Sequence, residues 1–144
     1  MDTRGGLALS KYRFERAEET LKAAKSNFDN NFFNESVTRS YYAIFYGMLA
    51  VTSKDGFEAS KHSSVISYFR KNYIGTKIFD KKLSDIIGQS FDLRTDADYE
   101  AFYTVSPNEA QIQMDSAKIF WDTVRPYLEA CWREMEEKIN ERNF

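Results

Sequence analysis

The chain has 144 residues and a mass of 16.8 kDa, the size of one domain, and its 42% hydrophobic and 29% charged residues lie far from the disorder signature. Its 20 basic and 22 acidic groups leave a net charge of −2, so no global field draws it onto nucleic acid. A single Cys, Cys131, excludes an internal disulfide or a thiolate zinc cage, and a single His, His62, excludes any site built on two histidines.

Twelve Phe, nine Tyr and two Trp stand against only six Gly and two Pro, a composition of large packing groups with few breaks. Residues 1–10 carry Gly5-Gly6 and no periodicity, and read as a flexible leader. From there the pattern is helical. Phe14, Ala17, Leu21, Ala24 and Phe28 step by three and four, with the charges between them and Glu18–Lys22 as a favourable i,i+4 pair. The first helix is predicted over about Lys11–Asn27, closed by the turn Asp29-Asn30-Asn31.

The second helix is predicted over about Phe33–Thr52. Val37, Tyr41, Ile44, Met48 and Val51 form one stripe, and Tyr42, Phe45, Tyr46 and Leu49 widen it past a single face. A helix apolar around so much of its circumference has neighbours on several sides, so this one is expected at the centre. A shorter third helix follows at about Lys61–Asn72, with Val65, Ile66, Tyr68 and Phe69 inward, and a fourth at about Asp80–Leu93. Periodicity fails across the polar, acidic stretch from Arg94 to Val105, which reads as a helix end and a loop of the length that often carries function.

The last helix has the sharpest start signal. Ser106-Pro107-Asn108-Glu109 combines an N-cap Ser, a Pro at the first helical position and a Glu three residues after the cap. Ala110, Met114, Ala117, Trp121, Val124, Leu128, Cys131 and Met135 then repeat at alternating steps of four and three, in phase across Pro126. A continuous helix of roughly thirty residues, kinked at the proline, is expected from the 3.6-residue pattern. The expectation is an all-α, up-and-down bundle of four main helices plus a short one. It comprises a leader at 1–10, the bundle at 11–136 and a charged tail at 137–144. The lone Cys, the lack of an apolar run long enough to span a membrane, and an N-terminus that turns polar early together predict a cytoplasmic protein.

Three segments go further. Thr38-Arg39-Ser40-Tyr41-Tyr42-Ala43-Ile44-Phe45-Tyr46 resembles the Arg-x-Tyr-Tyr-Ala-x-Phe signature of HEPN domains, the higher-eukaryote and prokaryote nucleotide-binding family. Ser60-Lys61-His62-Ser63-Ser64-Val65-Ile66, followed by Phe69, is similar to the Ser-x-His segment of the third helix in a small prokaryotic branch. Leu93-Arg94-Thr95-Asp96-Ala97-Asp98-Tyr99 resembles that branch's Arg-x-x-Ala-Asp-Tyr segment after the fourth helix. Order and spacing agree, and the resemblance spans about residues 11–130.

The resemblance implies a helical bundle that usually forms a homodimer. It also implies a toxin–antitoxin or defence-type role, often as a metal-independent RNA endonuclease without a cofactor, paired with a minimal nucleotidyltransferase that neutralises it. The family's active motif is an Arg followed four to six residues later by a His, two motifs meeting across the dimer. The Arg clamps the scissile phosphate and the His moves protons. The matching Arg here is Arg94, but the position five further on is Tyr99, and residues 95–101 include no His. A Tyr titrates near 10, too high for ordinary proton shuttling at neutral pH, yet it can donate to a phosphate or stack on a base.

The candidate site is therefore Arg94 and Tyr99 as the catalytic pair, with Arg39, Asp98 and His62 contacting a nucleotide or RNA, and no metal. Each has a plainer reading. Arg94 pairs with Asp96 or Asp98 at a helix end over a packed Tyr99, Arg39 pairs with an acid such as Asp98, and His62 is a hydrogen-bonded helix-start imidazole. Tyr41, Tyr42, Phe45 and Tyr46 are expected as core and dimer contacts. The alternative function is a non-catalytic nucleotide-binding or protein-interaction module, again paired with a nucleotidyltransferase.

Overall fold

A computed structural model describes residues 3–142, which are all-α with no strand among the described residues. Five helices follow in chain order: α1 (Thr3–Asp29), α2 (Phe33–Lys54), α3 (His62–Phe69), α4 (Lys82–Tyr99) and α5 (Pro107–Arg142). A five-residue π-helical turn, Arg70–Ile74, continues α3, so the stretch predicted as one short helix is α-helical for its first two turns and widens after Phe69.

Cross-helix hydrogen bonds fix the directions. Ser10 Oγ donates to the carbonyl of Ala50 at 2.6 Å and Ser36 Oγ to that of Ala24 at 2.8 Å, so α1 and α2 are antiparallel. Asn31, at φ 64°, closes the turn between them; Asn is one of the few residues that adopts this backbone readily. Trp132 Nε1 donates to Ser10 Oγ at 2.8 Å and Phe14 stacks on Trp121, which lays α5 antiparallel to α1. At the α2–α5 crossing Gly47 lets Phe120 approach, where an added Cβ would stand 2.9 Å from the ring. α2 packs against α1, α3, α4 and α5, as its wide apolar circumference requires.

The main core gathers Tyr41, Ile44, Met48, Val51, Val65, Phe69, Leu83, Ile87, Phe120, Val124 and Leu128, all essentially sealed. A second, smaller cluster of Val37, Val105 and Ala110 lies at the other end of α2, with Phe28, Phe33, Leu93, Ala97 and Tyr103 packed on it. This cluster seats the α4–α5 connection. Asn34 fastens that connection from the first turn of α2, accepting from the Val105 amide at 3.0 Å and donating to the Tyr103 carbonyl at 3.3 Å.

Three boundaries differ from the sequence reading. The leader at 1–10 is helical from Thr3, because Ser10 is tied to Ala50 and Trp132, and packing carries α1 back through Gly5-Gly6. Met1 and Asp2 lie outside the described residues. The fourth helix runs on through the acidic stretch to Tyr99, where the Arg94–Asp98 pair, the Thr95 hydroxyl on the Phe91 carbonyl, and Leu93 and Ala97 against the second cluster sustain it. The charged tail continues α5 as far as Arg142, with Asn143 and Phe144 outside the described residues.

The helix also continues unbroken through Pro126, which is exposed, so water can serve the Asp122 carbonyl that loses its helical donor. Both bonds of the capping box form. Glu109 N–H donates to Ser106 Oγ at 3.1 Å, and Ser106 N–H to Glu109 Oε1 at 3.1 Å. Ser106→Ala is expected to lower stability by about 1 kcal/mol, read as a lower urea midpoint at unchanged slope.

Candidate functional site

The extra turns of α4 place Arg94 and Asp98 one helical turn apart on the face that meets α2. Arg94 Nε lies 2.9 Å from Asp98 Oδ2, close enough for an ion pair, although its N–H points off the line of a proper hydrogen bond. Nη2 donates to the Tyr42 hydroxyl at 3.1 Å. The guanidinium carbon stands 5.3 Å from the Tyr41 ring centre, 5.4 Å from that of Tyr42 and 5.6 Å from that of Tyr99. Carboxylate and aromatic faces are what a mostly dehydrated guanidinium needs, and the Arg94 side chain is only 15% exposed. Nη1 makes no hydrogen bond to another described residue and is not sealed from solvent.

Asp98 is held from its far side by Thr38, whose hydroxyl donates to Oδ1 at 3.1 Å. The plainer reading of Arg94 is therefore observed in its first half, with Asp98 as the acid. Its second half is not, since Tyr99 is the last residue of α4 and is 72% exposed rather than packed beneath. Arg39 does not pair with Asp98, which Arg94 and Thr38 occupy; its guanidinium instead lies 5.1 Å over the outer side of the Tyr42 ring. Arg39, Thr38, Asn34, Glu35, Ala97 and Asp98 line a shallow depression of about 360 Å³ between α2 and α4.

His62 is the first residue of α3 and joins the same cluster from a third helix. Its Nδ1 is 2.8 Å from the Tyr41 hydroxyl, its ring stacks on Phe45 with centroids 3.9 Å apart, and Tyr42 meets it edge-on. Burial, and after it the positive charge of Arg94, hold the imidazole below its ordinary value of 6.5. Burial pushes the Tyr41 hydroxyl up to about 12, with Arg94 opposing and Tyr42 adding to the rise. At neutral pH the cluster therefore contains a neutral imidazole, a protonated Tyr41 and an ion-paired guanidinium.

The structure brings Arg94, Tyr99, Asp98, Arg39 and His62 to one end of the α2–α4 contact. The groups that sequence reasoning took only as packing, Tyr41 and Tyr42, turn out to be the hydrogen-bonded hub. Their signal was present in the hydroxyls: on a helix otherwise so apolar, neighbouring positions that are Tyr rather than Phe point to buried partners. A second depression of about 470 Å³ lies further along α4, lined by Ser63, Ser67, Arg70, Gly88, Phe91 and Asp92 among others.

The more apolar groove of about 460 Å³ between α1 and α5, around Leu21, Met114 and Trp121, shares no residue with the cluster. The ammonium groups on its rim pair along their own helices, Lys22 with Glu18, Lys25 with Asp29 and Lys118 with Asp122. Among the described residues no three His, Cys, Asp or Glu side chains gather as metal ligands, and no helix is long and apolar enough to cross a membrane.

Comparison with known proteins agrees with this architecture. The HEPN domain family model matches residues 10–127. A protein of Methanocaldococcus jannaschii named "Putative toxin MJ0142" is 31% identical over 114 residues, 79% of this chain and 78% of its own length. A second from that organism, "Putative toxin MJ0605", is 33% identical over 79% of this chain and 84% of its own. A "UPF0332 protein" of Thermotoga maritima is 29% identical over 84% of this chain and 92% of its own.

His62 is expected to titrate below 6.5 when its ring protons are followed by NMR, and Arg94→Ala to raise that midpoint toward 6.5. Because the unfolded chain takes up the proton first, stability is unaffected above 6.5 and falls as the pH drops from there toward the folded-state value. His62→Gln flattens that part of the stability–pH profile.

Proposed function

Since the chain belongs to the HEPN domain family, we propose that it is the toxin of a toxin–antitoxin or defence-type module and cuts RNA without a metal ion as a homodimer. The observation that carries this reading is the convergence of Arg94, Tyr42, Asp98 and His62 at the mouth of one interhelical contact. Asp98 and Tyr42 fix the guanidinium plane and leave Nη1 as a pre-aimed donor, which suits a non-bridging phosphate oxygen and the charge that grows on it during cleavage. Tyr99, exposed at the end of α4, offers its hydroxyl to a phosphate or its ring to a base. Arg39, on the outer face of Tyr42, extends the positive surface along the strand.

A second copy of the chain is the natural cover for Tyr99 and the fully exposed Phe102, two aromatics that rim the site. The antitoxin in this reading is a minimal nucleotidyltransferase, and the site works in the cytoplasm without a cofactor. The names of two relatives, which describe them as toxins, support the toxin role.

One observation favours a second reading, a non-catalytic nucleotide-binding or interaction module: Asp98 neutralises Arg94, and the side chain is only 15% exposed. Purified protein incubated with total RNA in EDTA separates the two. Cleavage by the wild type that drops at least about 100-fold in Arg94→Ala supports the nuclease, by analogy with the loss of one transition-state donor elsewhere. Intact RNA with both proteins overturns it and leaves the binding module.

A further inference from the structure

The family pattern leaves a chemical gap at position 99, where a phenol with an ordinary value near 10 stands in place of an imidazole. Metal-free phosphodiester cleavage needs a group that can take a proton at neutral pH. The fold supplies one from elsewhere in the chain, because α3 begins at His62 and packs that residue into the aromatic cluster beside Arg94.

Resting on the nuclease reading above, we infer that His62 is the catalytic base of this site, its Nε2 receiving the proton of the attacking 2′-hydroxyl while Tyr41 orients the ring through Nδ1. Several features of the structure converge on this role. The chain has no other His, so no second imidazole competes for it. Stacking on Phe45 at 3.9 Å and an edge contact from Tyr42 leave the ring one plane, and the 2.8 Å contact to Tyr41 fixes which nitrogen faces inward. Tyr41 is itself fully buried, which makes it a rigid anchor.

Nε2, by contrast, has no hydrogen-bond partner among the described residues and is not sealed from solvent. When Nδ1–H donates to the Tyr41 oxygen, Nε2 carries the lone pair. The same Nδ1–H bond persists once Nε2 is protonated, so no heavy atom has to move as the imidazolium forms. Arg94, on the other side, faces the phosphate and keeps His62 unprotonated before the step.

The reaction balances without an added reactant. The 2′-oxygen bonds to phosphorus as its proton passes to Nε2, and the bond from phosphorus to the 5′-oxygen breaks. The leaving oxygen takes a proton from water, and His62 returns its proton to solvent. The products are a 2′,3′-cyclic phosphate and a 5′-hydroxyl. Tyr41 acts through His62 and is a positioning residue, whereas His62 touches the reacting hydroxyl.

The test uses the full chain, total bacterial RNA and EDTA, with product ends analysed for cyclic phosphate. His62→Ala is expected to slow cleavage at least about 100-fold, the range of lost general-base catalysis, and free imidazole at tens of millimolar is expected to restore about a tenth or more of the loss. Imidazole rescue would not follow if the ring only filled space. His62→Gln keeps a hydrogen bond to Tyr41 but has no titratable nitrogen, so it decides the matter should His62→Ala fail to fold; a comparable loss supports the base. Wild-type rates in either variant overturn the inference while leaving the nuclease reading intact. A wild type that cuts no RNA overturns that reading, and the inference falls with it.

Discussion

Arg94 sets the terms for this end of the molecule. Removing a guanidinium from water costs several kcal/mol unless charge and hydrogen-bond partners replace its hydration, and at 15% exposure the replacement must come from the protein. Asp98 supplies the charge from the same helix, Tyr42 an acceptor from the neighbouring one, and the rings of Tyr41 and Tyr42 the flanking π faces. Meeting those needs together locks the register of α4 against α2. It also explains why α4 does not stop at Leu93, where the apolar pattern ends: unwinding the last turn and a half would strand the cation.

The same geometry brings the chemistry together. α2 presents Thr38, Tyr41, Tyr42 and Phe45 on successive turns, and each holds a different member of the cluster. Thr38 steadies Asp98, Tyr42 steadies Arg94, and Tyr41 with Phe45 steadies His62. A single rigid helix, buried on several sides in the main core, thus serves as the common reference for side chains arriving from α3 and α4.

Local signals in the sequence sufficed for the parts that are locally determined. The capping box at Ser106–Glu109, the unbroken stripe of α5 and the wide apolar girth of α2 each express a preference that the folded chain obeys. The stretch from Arg94 to Tyr99 did not yield to the same method, because its helicity rests on the Arg94–Asp98 pair and on Leu93 and Ala97 reaching the second core cluster. The start of α1 hid for a related reason: Gly5-Gly6 disfavours helix, and contacts made by Ser10 with α2 and α5 override that preference. Motif resemblance pointed to Arg94 and His62 separately. Their meeting could not be seen, since Tyr41 and His62 are 21 positions apart and join only through the packing of α3 on α2.

Asn34 gives the cleft an asymmetric mechanics. By clasping Val105 and Tyr103 it welds the rim that bears Tyr99 and Phe102 to the first turn of α2, and the α1–α2 hairpin stiffens that turn in its own right. The opposite wall is only α3, two turns long and ending in a π turn whose wider coil is a weaker spring. Breathing of the cleft is accordingly one-sided. The guanidinium wall stays put while the imidazole wall swings, so the gap between Arg94 and His62 is the coordinate along which a bulky polymer is admitted or shut out.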